Sequence, residues 1–284
     1  MAADIQSTIA SWQPSYWLSA SVLLSSVVYC RGWLAIRRTR PAQFPLWRLN
    51  MFLLAMAILW LAIGSPMDAF ADVTLSAHMV EHLLLMSVVP PLVWLSNPVV
   101  PMLRGLPHWL VKSGFGPLIR MRPLRRFTHW LVRPRNAWIV MNVIFLGWHV
   151  PAAYDFALMY ERWHIVEHLC FLFGSMLFWW PIIRPWPNGG RVYTWGLILY
   201  LLSADVVNSA LSAFLAFCTR PMYPFYLTKP NPFGLSPLSD QVIGAVIMWV
   251  FGSFVFLIPA VYITIQLLQP ARSVSESKDR AYRT

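Results

Sequence analysis

Two short segments of the chain carry the same ionisable side chains at the same spacing. Residues 78–82 (HMVEH) and residues 164–168 (HIVEH) both follow the pattern H-x-V-E-H, and a leucine follows each of them. In a helix, residues four apart lie one turn above each other on the same face, so each segment presents two imidazoles to one neighbour. Two such helices packed side by side would supply four nitrogen ligands to a metal ion or a haem.

Further candidate ligands lie near these segments. His149 lies between them in sequence and is predicted to supply a fifth imidazole. Neutral imidazole suits Cu, Zn, Fe and Ni, whereas thioethers favour Cu(I); Met79, Met86 and Met159 are close in sequence, and Met86 continues the face of the first histidine pair. The predicted metal ligands are His78, His82, His149, His164 and His168, with Met86 beside them, and the ion is Cu(I) if the thioethers point inward.

Four acidic side chains lie in or beside these apolar segments. Glu81 and Glu167 each precede the second histidine of a pair. We expect them either to receive the other ring N–H of a ligand histidine or to form ion pairs with Arg162 or with each other. Asp240 is predicted either to orient a ligand or to cap the start of a helix. Asp205 lies near the middle of an apolar segment and therefore requires a polar partner, such as an asparagine or a water molecule.

Three other functions are compatible with parts of this pattern. H-x-x-E-H also occurs in zinc metalloproteases. A protease would account for only one of the two copies of the motif, and the sequence offers no obvious third zinc ligand, so we predict that the protein is not an enzyme. Bis-histidine haem in a membrane electron carrier is one alternative. A copper transporter is another, although only Asn142, Asp205 and Asn208 continue the polar path toward the other face of a membrane.

The composition indicates that these groups lie inside a membrane. Of the 284 residues, 58% are hydrophobic and 12% are charged, whereas a soluble protein has roughly a quarter charged residues. The net charge of +11 is carried by basic residues in short connectors, which indicates anchoring at a membrane face and no nucleic-acid binding. The three cysteines have no regular spacing and indicate neither a disulfide framework nor a CxxC metal site.

Hydropathy predicts an all-α polytopic membrane protein with seven transmembrane helices. Each apolar segment has about the 20 residues that a helix needs to cross the hydrocarbon core. The predicted spans are Tyr16–Ile36, Trp47–Gly64, Leu75–Leu95, Ala137–Tyr154, Trp163–Ile183, Val192–Phe217 and Val242–Leu268. Residues 1–270 are expected to form one seven-helix domain, and residues 271–284 a mobile cytoplasmic tail.

The basic residues predict the orientation of these spans. Nearly all of the 22 lysines and arginines lie in the connectors on one side, so the amino terminus is expected outside and the carboxyl terminus in the cytoplasm. The third span then enters from outside, the fourth leaves toward the outside and the fifth enters again. All five candidate histidines are therefore predicted to lie in the outer leaflet.

Two connectors are long enough to have structure of their own. Residues 96–136 are rich in Pro, Gly and Arg and are expected to lie along the inner leaflet, with no chemistry assigned to His108 or His129. Residues 219–239 contain five prolines and are expected to form an ordered capping loop without helix. This loop is placed to cover whatever lies beneath it.

Four motifs, taken together, resemble those of one known family. They are residues 76–86 (SAHMVEHLLLM) continuing to Pro90-Pro91-Leu92, residues 148–154 (WHVPAAY), residues 164–168, and residues 240–244 (DQVIG) with Met248-Trp249. In this order they resemble the signature of the CtaG-type cytochrome c oxidase assembly factors, which are associated with the caa-type oxidases. The resemblance covers roughly residues 15 to 268.

This resemblance implies a multi-pass protein of the bacterial cytoplasmic (inner) membrane, a metallochaperone that handles copper for a haem-copper oxidase of the respiratory chain. The implied partners are an oxidase subunit in the same lipid membrane and a periplasmic copper donor. Glu81 stands where the family commonly has glutamine. The chain is expected to be a short form, without the copper-resistance-type domain of some relatives. The family's polar positions fall on His78, His82, His149, His164, His168 and Asp240.

Overall fold

The computed structural model describes residues 2–185 and 193–269, and these residues form helices without any strand. The predicted tail, residues 271–284, and Val192 lie outside the described residues. The helices are Ala2–Ser11, Tyr16–Arg37, Leu46–Gly64, Pro66–Ala71, Leu75–Leu83, Val89–Leu95, Val99–Gly105, Gly116–Arg120, Arg122–Leu131, Pro134–Trp148, Pro151–Met159, Glu161–Ile183, Trp195–Phe217 and Pro237–Leu268, with π-helical turns at Leu84–Val88 and Leu110–Phe115 and a 3-10 turn at Pro224–Thr228.

Six of these helical segments are long and apolar enough to cross a membrane, and the number is seven when a bent helix pair is counted as one span. The prediction of an all-α polytopic membrane protein is therefore confirmed. The first, second, third, fifth, sixth and seventh spans are Tyr16–Arg37, Leu46–Gly64, Leu75–Leu95, Glu161–Ile183, Trp195–Phe217 and Pro237–Leu268, and the bent pair Pro134–Trp148 with Pro151–Met159 is the fourth.

The fourth span, predicted over Ala137–Tyr154, is bent and longer than predicted, from Pro134 to Met159. Its two arms meet at an angle of 74°. Pro151 has no amide N–H to continue a helix, and it disfavours helical backbone at the residue before it. Val150 accordingly has extended backbone, with φ −65° and ψ 125°. The bend leaves His149 at the end of the first arm, while the second arm packs against the fifth span.

The third span changes its winding halfway along its length. Leu84–Val88 forms a π-helical turn directly before Pro90 and Pro91. Because Pro90 has no N–H, the carbonyl oxygen of Met86 loses its usual helical donor. The indole Nε1 of Trp179, on the fifth span, donates to that oxygen at 3.1 Å. This hydrogen bond holds the third and fifth spans together just below the two histidine segments.

The buried side chains form two separate cores. One core lies among the third to seventh spans and contains the histidine segments. The other joins the first and second spans; it is apolar, and the rings of Tyr29 and Phe52 stack there at 3.9 Å. Helix Val99–Gly105 lies so close to the first span that a Cβ on Gly32 would come 1.8 Å from the carbonyl oxygen of Pro101. Small residues permit this backbone contact.

Candidate metal centre

Four of the five predicted histidines form a cluster between the third and fifth spans. Within each segment the two rings lie 4.2 Å apart between centroids, for His78 with His82 and for His164 with His168. Across the helices, His78 stacks on His164 at 5.1 Å, and His82 lies 5.5 Å from His168. The i,i+4 spacing places each pair on one face, and the packing turns the two faces toward each other.

The ligand atoms of this cluster are close enough to share an ion. One nitrogen each from His78, His82 and His168 lie within 4.8 Å of one another. A second group with the same spacing consists of His78, His164 and a carboxylate oxygen of Glu81. His78 belongs to both groups and is fully buried, so it is the residue that the two groups share.

The two glutamates cross over to the opposite helix. Glu167 lies on the fifth span, and its carboxylate oxygens are 4.0 Å from His78 Nε2 and 3.7 Å from His82 Nε2 on the third span. Glu81 lies on the third span and is 4.0 Å from His168 Nε2 on the fifth. Each glutamate therefore faces histidines of the other segment. We name the six residues the histidine–glutamate cluster: His78, Glu81, His82, His164, Glu167 and His168.

Buried polar atoms normally have hydrogen-bond partners, and several polar atoms of this cluster lack them in the part of the chain that the structure describes. Both glutamates are fully buried, and their four carboxylate oxygens have no hydrogen-bond donor among the described residues. The ring nitrogens of His78 and His82 are also buried without hydrogen bonds. An unpaired buried carboxylate is costly, because it loses its hydration without receiving a counter-charge. A bound cation would offset this cost.

His149 is placed apart from the other four histidines. Its ring centroid lies 6.3 Å from that of His82, and it belongs to neither ligand group. Its Nδ1 lies 2.7 Å from the carbonyl oxygen of Phe145, which requires a proton on Nδ1. The other nitrogen, Nε2, is buried and has no hydrogen-bond partner among the described residues. With this tautomer the lone pair of Nε2 is available to a metal ion.

Asp240 caps the third span from a neighbouring helix. Thr74 precedes that span and makes no side-chain cap. Instead, the carboxylate of Asp240, on the seventh span, accepts hydrogen bonds from the amide of Leu75 at 2.7 Å and from the amide and hydroxyl of Ser76. Free N–H groups at a helix start favour a negative partner. Asp240 thus positions the helix that carries His78; its predicted role toward a ligand stays a prediction.

Tyrosines cover the cluster at the end of the bundle where residues 219–236 lie. The ring of Tyr154 lies 5.2 Å from that of His78, and the ring of Tyr223 lies 4.2 Å from Tyr154. The hydroxyl of Tyr223 donates to the carbonyl oxygen of His149 at 3.2 Å. Burial raises the pKa of Tyr223, so this hydroxyl stays protonated. The loop covers the cluster with neutral groups.

Two further side chains fix this loop. Gln241 accepts from the amide of Met222 at 2.6 Å and donates to the carbonyl oxygen of Leu215 at 3.0 Å. Tyr226 donates to the carbonyl oxygen of Ala71 at 3.0 Å, and burial raises its pKa. The loop is thus an ordered cap as predicted, except that its segment Pro224–Thr228 forms one 3-10 turn instead of being free of helix.

Acidic groups lie at the same end of the bundle, in the connection between the second and third spans. Burial, together with the nearby charge of Asp72, raises the pKa of Asp68 to about 6. Burial also raises the pKa of Asp72, although the charge of Lys229 opposes the shift. These carboxylates give this end a negative potential near neutral pH, which attracts cations.

The three methionines considered as ligands and Asp205 have different surroundings. Met86 is buried next to a small cavity below His82, Met79 packs toward Gly244 of the seventh span, and Met159 is exposed. Asp205 does not pair with Asn142, whose amide donates to Trp138; one oxygen of Asp205 is buried with no hydrogen-bond partner.

The sequence alone assigned no role to several residues that line or cover the site. Tyr154 and Met248 lie in the family motifs, but spacing alone gives no reason to turn them toward the histidines. Tyr223 and Met141 carry no local signal, because they approach the site only when distant elements pack together.

The comparisons with known proteins agree with this architecture. The family model described as cytochrome c oxidase caa3 assembly factor (Caa3_CtaG) matches residues 27–270. Two uncharacterized proteins, of Mycobacterium bovis and of Mycobacterium tuberculosis, are each 25% identical over 287 aligned positions, covering 97% of this chain and 42% of their own length. The chain therefore spans less than half the length of these relatives. No solved structure matches the chain.

The matched region contains all four histidines and both glutamates of the cluster, His149, and the capping residue Asp240. The family model thus covers every span that contributes to the site. This chain belongs to the family of cytochrome c oxidase caa3 assembly factors.

Proposed function

We propose that the chain holds copper in the histidine–glutamate cluster and passes it to a subunit of a haem-copper oxidase in the same membrane. The observation that carries this proposal is a set of imidazoles and carboxylates that converge from two helices, are buried, and have no hydrogen bonds of their own. Such a set is costly without a cation and well suited to hold one. Membership in an oxidase assembly family supplies the destination.

The ligand set suits a carrier. The cluster offers six side chains, more than the two to four ligands that a copper ion needs at one time. An ion can therefore exchange one ligand for another without leaving the pocket, and a receiving site can compete for it stepwise. Such exchange requires no chemical turnover, so the proposed role is not enzymatic.

The direction of transfer follows from the predicted topology. With the basic connectors in the cytoplasm, the histidine–glutamate cluster lies in the outer leaflet of a bacterial inner membrane. Asp68 and Asp72 lie on the same side and attract cations toward it. Copper is proposed to arrive from a donor in the periplasm and to leave to the oxidase without crossing the membrane.

The geometry favours an ion over haem. The imidazole rings of the cluster lie 4.2 to 6.0 Å apart between centroids, and the enclosed cavity beside His82 has a volume of about 30 Å³. That volume exceeds what one water molecule requires but is far too small for a porphyrin. Carboxylate oxygens of Glu167 and Glu81 also lie 4.0 Å from the Nε2 atoms of His78 and His168 on the facing helix, so acidic groups share the space between the two histidine pairs.

Metal analysis and an absorption spectrum of the detergent-purified chain test the proposal. The wild type is expected to retain copper and to show no Soret band, whereas His78→Ala/His168→Ala loses the copper. The matched control is His108→Ala/His129→Ala, which removes two exposed histidines outside the cluster and is expected to retain copper. Haem at one per chain, or equal copper in both double variants, would refute the proposal.

Assembly of the oxidase provides the second test. In a strain that lacks the gene for this chain, the wild type is expected to restore oxidase activity and the cluster variant is not. Excess copper in the medium should partly rescue the cluster variant if its defect lies in copper delivery. Full oxidase activity with the cluster variant present at wild-type level would contradict this function.

A further inference from the structure

A small enclosed cavity lies directly beneath the histidine–glutamate cluster. Its volume is about 30 Å³, and His82 lines its upper end. Three methionines from three different spans also line it: Met86 from the third, Met141 from the fourth and Met248 from the seventh. We name this space the methionine cavity. It is distinct from the cluster because neither glutamate lines it.

Each of these methionines is held by a hydrogen bond from another helix. The hydroxyl of Ser175 donates to the sulfur of Met141 at 3.4 Å. The backbone carbonyl of Met248 accepts from Asn208 at 3.3 Å. That of Met86 accepts from Trp179, as described above. Only the contact of Ser175 reaches a thioether; the other two fix the backbone from which the adaptable methionine side chains extend.

His149 supplies the observation that points to a ligand. It also lines the methionine cavity, and it is 5% exposed. Its Nδ1 is occupied by the carbonyl oxygen of Phe145 at 2.7 Å, so the unpartnered nitrogen is Nε2. An imidazole nitrogen that is buried without a partner loses the hydrogen bond that water would give it. A metal ion in the cavity would replace that bond.

The donor set selects the type of ion. The side chains around the cavity offer thioethers, neutral imidazoles and amides, and no carboxylate is among them. Thioethers are soft ligands that select Cu(I), whereas Cu²⁺ prefers nitrogen and oxygen and Zn²⁺ takes its sulfur from cysteine thiolates, which this cavity does not offer. A monovalent ion also enters an uncharged pocket at a smaller desolvation cost than a divalent one. The volume admits one such ion and little else.

We propose that the methionine cavity is a second copper site, specific for Cu(I), formed by His149 Nε2 and the thioethers of Met86, Met141 and Met248. His82 borders both this site and the histidine–glutamate cluster, so an ion can move between them by exchanging ligands at that ring. The existence of the second site stands independently; only its loading from the cluster rests on the proposed function.

X-ray absorption spectroscopy of the full chain, loaded anaerobically with Cu(I) in detergent, tests this proposal. The wild type is expected to show both nitrogen and sulfur neighbours of copper. Met86→Leu/Met141→Leu/Met248→Leu should lose the sulfur neighbours and bind one copper ion fewer per chain, since leucine keeps the volume but has no sulfur. The control is Met56→Leu, a buried methionine of the other core, which should leave both signals unchanged.

Single variants keep the test decisive if the triple variant is unstable. Met141→Leu and His149→Gln are each expected to weaken the sulfur-containing site at least tenfold in competition with a Cu(I) chelator. Copper with nitrogen neighbours alone in the wild type overturns the second site and leaves the proposed function intact. Conversely, if His78→Ala/His168→Ala keeps both the sulfur signal and the wild-type number of copper ions per chain, the second site is supported and the function proposed for the cluster is overturned.

Discussion

The two H-x-V-E-H helices have nearly the same sequence and very different surroundings. On the third span, His78 and His82 are 0% and 3% exposed, and Asp240 caps the start of the helix. On the fifth span, His164 is only half-buried, and the helix begins after Tyr160 without a side-chain cap. The histidine face of the first helix is enclosed, and the second helix lies at the edge of the bundle.

This difference follows from packing. The upper part of the third span lies against the seventh and contacts the second, whereas the fifth presents Ile165 and Leu169 to the surroundings, 52% and 46% exposed. We infer that the third span is the fixed wall of the site and the fifth is the side from which an ion arrives. The same motif therefore serves two tasks, and substitutions at matched positions should differ in size.

The largest effect is expected at His78. Because it belongs to both ligand groups, His78→Gln removes the ligand that the two groups share. The affinity for copper should fall by more than about 100-fold, beyond the usual loss from removing an outer partner. Competition titration with a copper chelator measures it, and His129→Gln, an exposed histidine, is the control. If His78→Gln binds copper as the control does, the third span is not the wall of the site.

The glutamates should follow the same asymmetry. Glu81, on the third span, shares a ligand group with His78 and His164, whereas Glu167, on the fifth, belongs to neither ligand group and faces His78 and His82. Both Glu→Gln variants are expected to weaken copper binding by about 10- to 100-fold, Glu81→Gln more than Glu167→Gln. Glu161→Gln, at the exposed start of the fifth span, should have no effect. The reverse order of the two buried glutamates would mean that the carboxylate bound to copper comes from the fifth span.

The meeting of the histidines could be predicted because it depends on local properties. The i,i+4 spacing fixes the face, and the alternating direction of the spans fixes the depth, so residues 78–82 and 164–168 reach the same level. The crossing of Glu81 and Glu167 could not be predicted in this way. It depends on how far each helix is rotated about its axis, which is set by packing along its whole length.

Other features required tertiary information for similar reasons. The sequence placed Pro151 inside a predicted span, and the angle between the two arms depends on packing of the second arm against the fifth span. Met141 and Met248 lie on apolar helix faces that look like ordinary core, and they share a cavity only because the fourth and seventh spans converge there. Asp240 could cap its own helix or another, and Ser236 already caps its own.

His164→Gln should have a smaller effect on affinity than the substitutions above. His164 belongs to one ligand group and is half-buried, so three imidazoles of the cluster stay in place without it. We expect the affinity to fall less than about tenfold, while loading becomes slower because the outermost ligand is missing. Stopped-flow measurement of copper uptake separates the two effects. A loss of affinity as large as that of His78→Gln would mean that the two helices are equivalent.

The smallest effect is expected at Asp240, which acts on the fixed wall without touching the ion. Asp240→Asn keeps the shape of the side chain but removes the negative charge of the group that accepts hydrogen bonds from the amides of Leu75 and Ser76. The free energy of unfolding should fall by about 1 kcal/mol, as it typically does when a helix cap is lost. The melting temperature should fall in the metal-free chain and recover partly with copper, since a ligand that binds only the folded state stabilises it. Glu161→Gln, at the exposed start of the fifth span, should leave both temperatures unchanged. A helix start that is destabilised by about 1 kcal/mol changes the copper affinity only about fivefold. A drop as large as that of Glu167→Gln would therefore show that Asp240 contacts the ion instead of only positioning the third span.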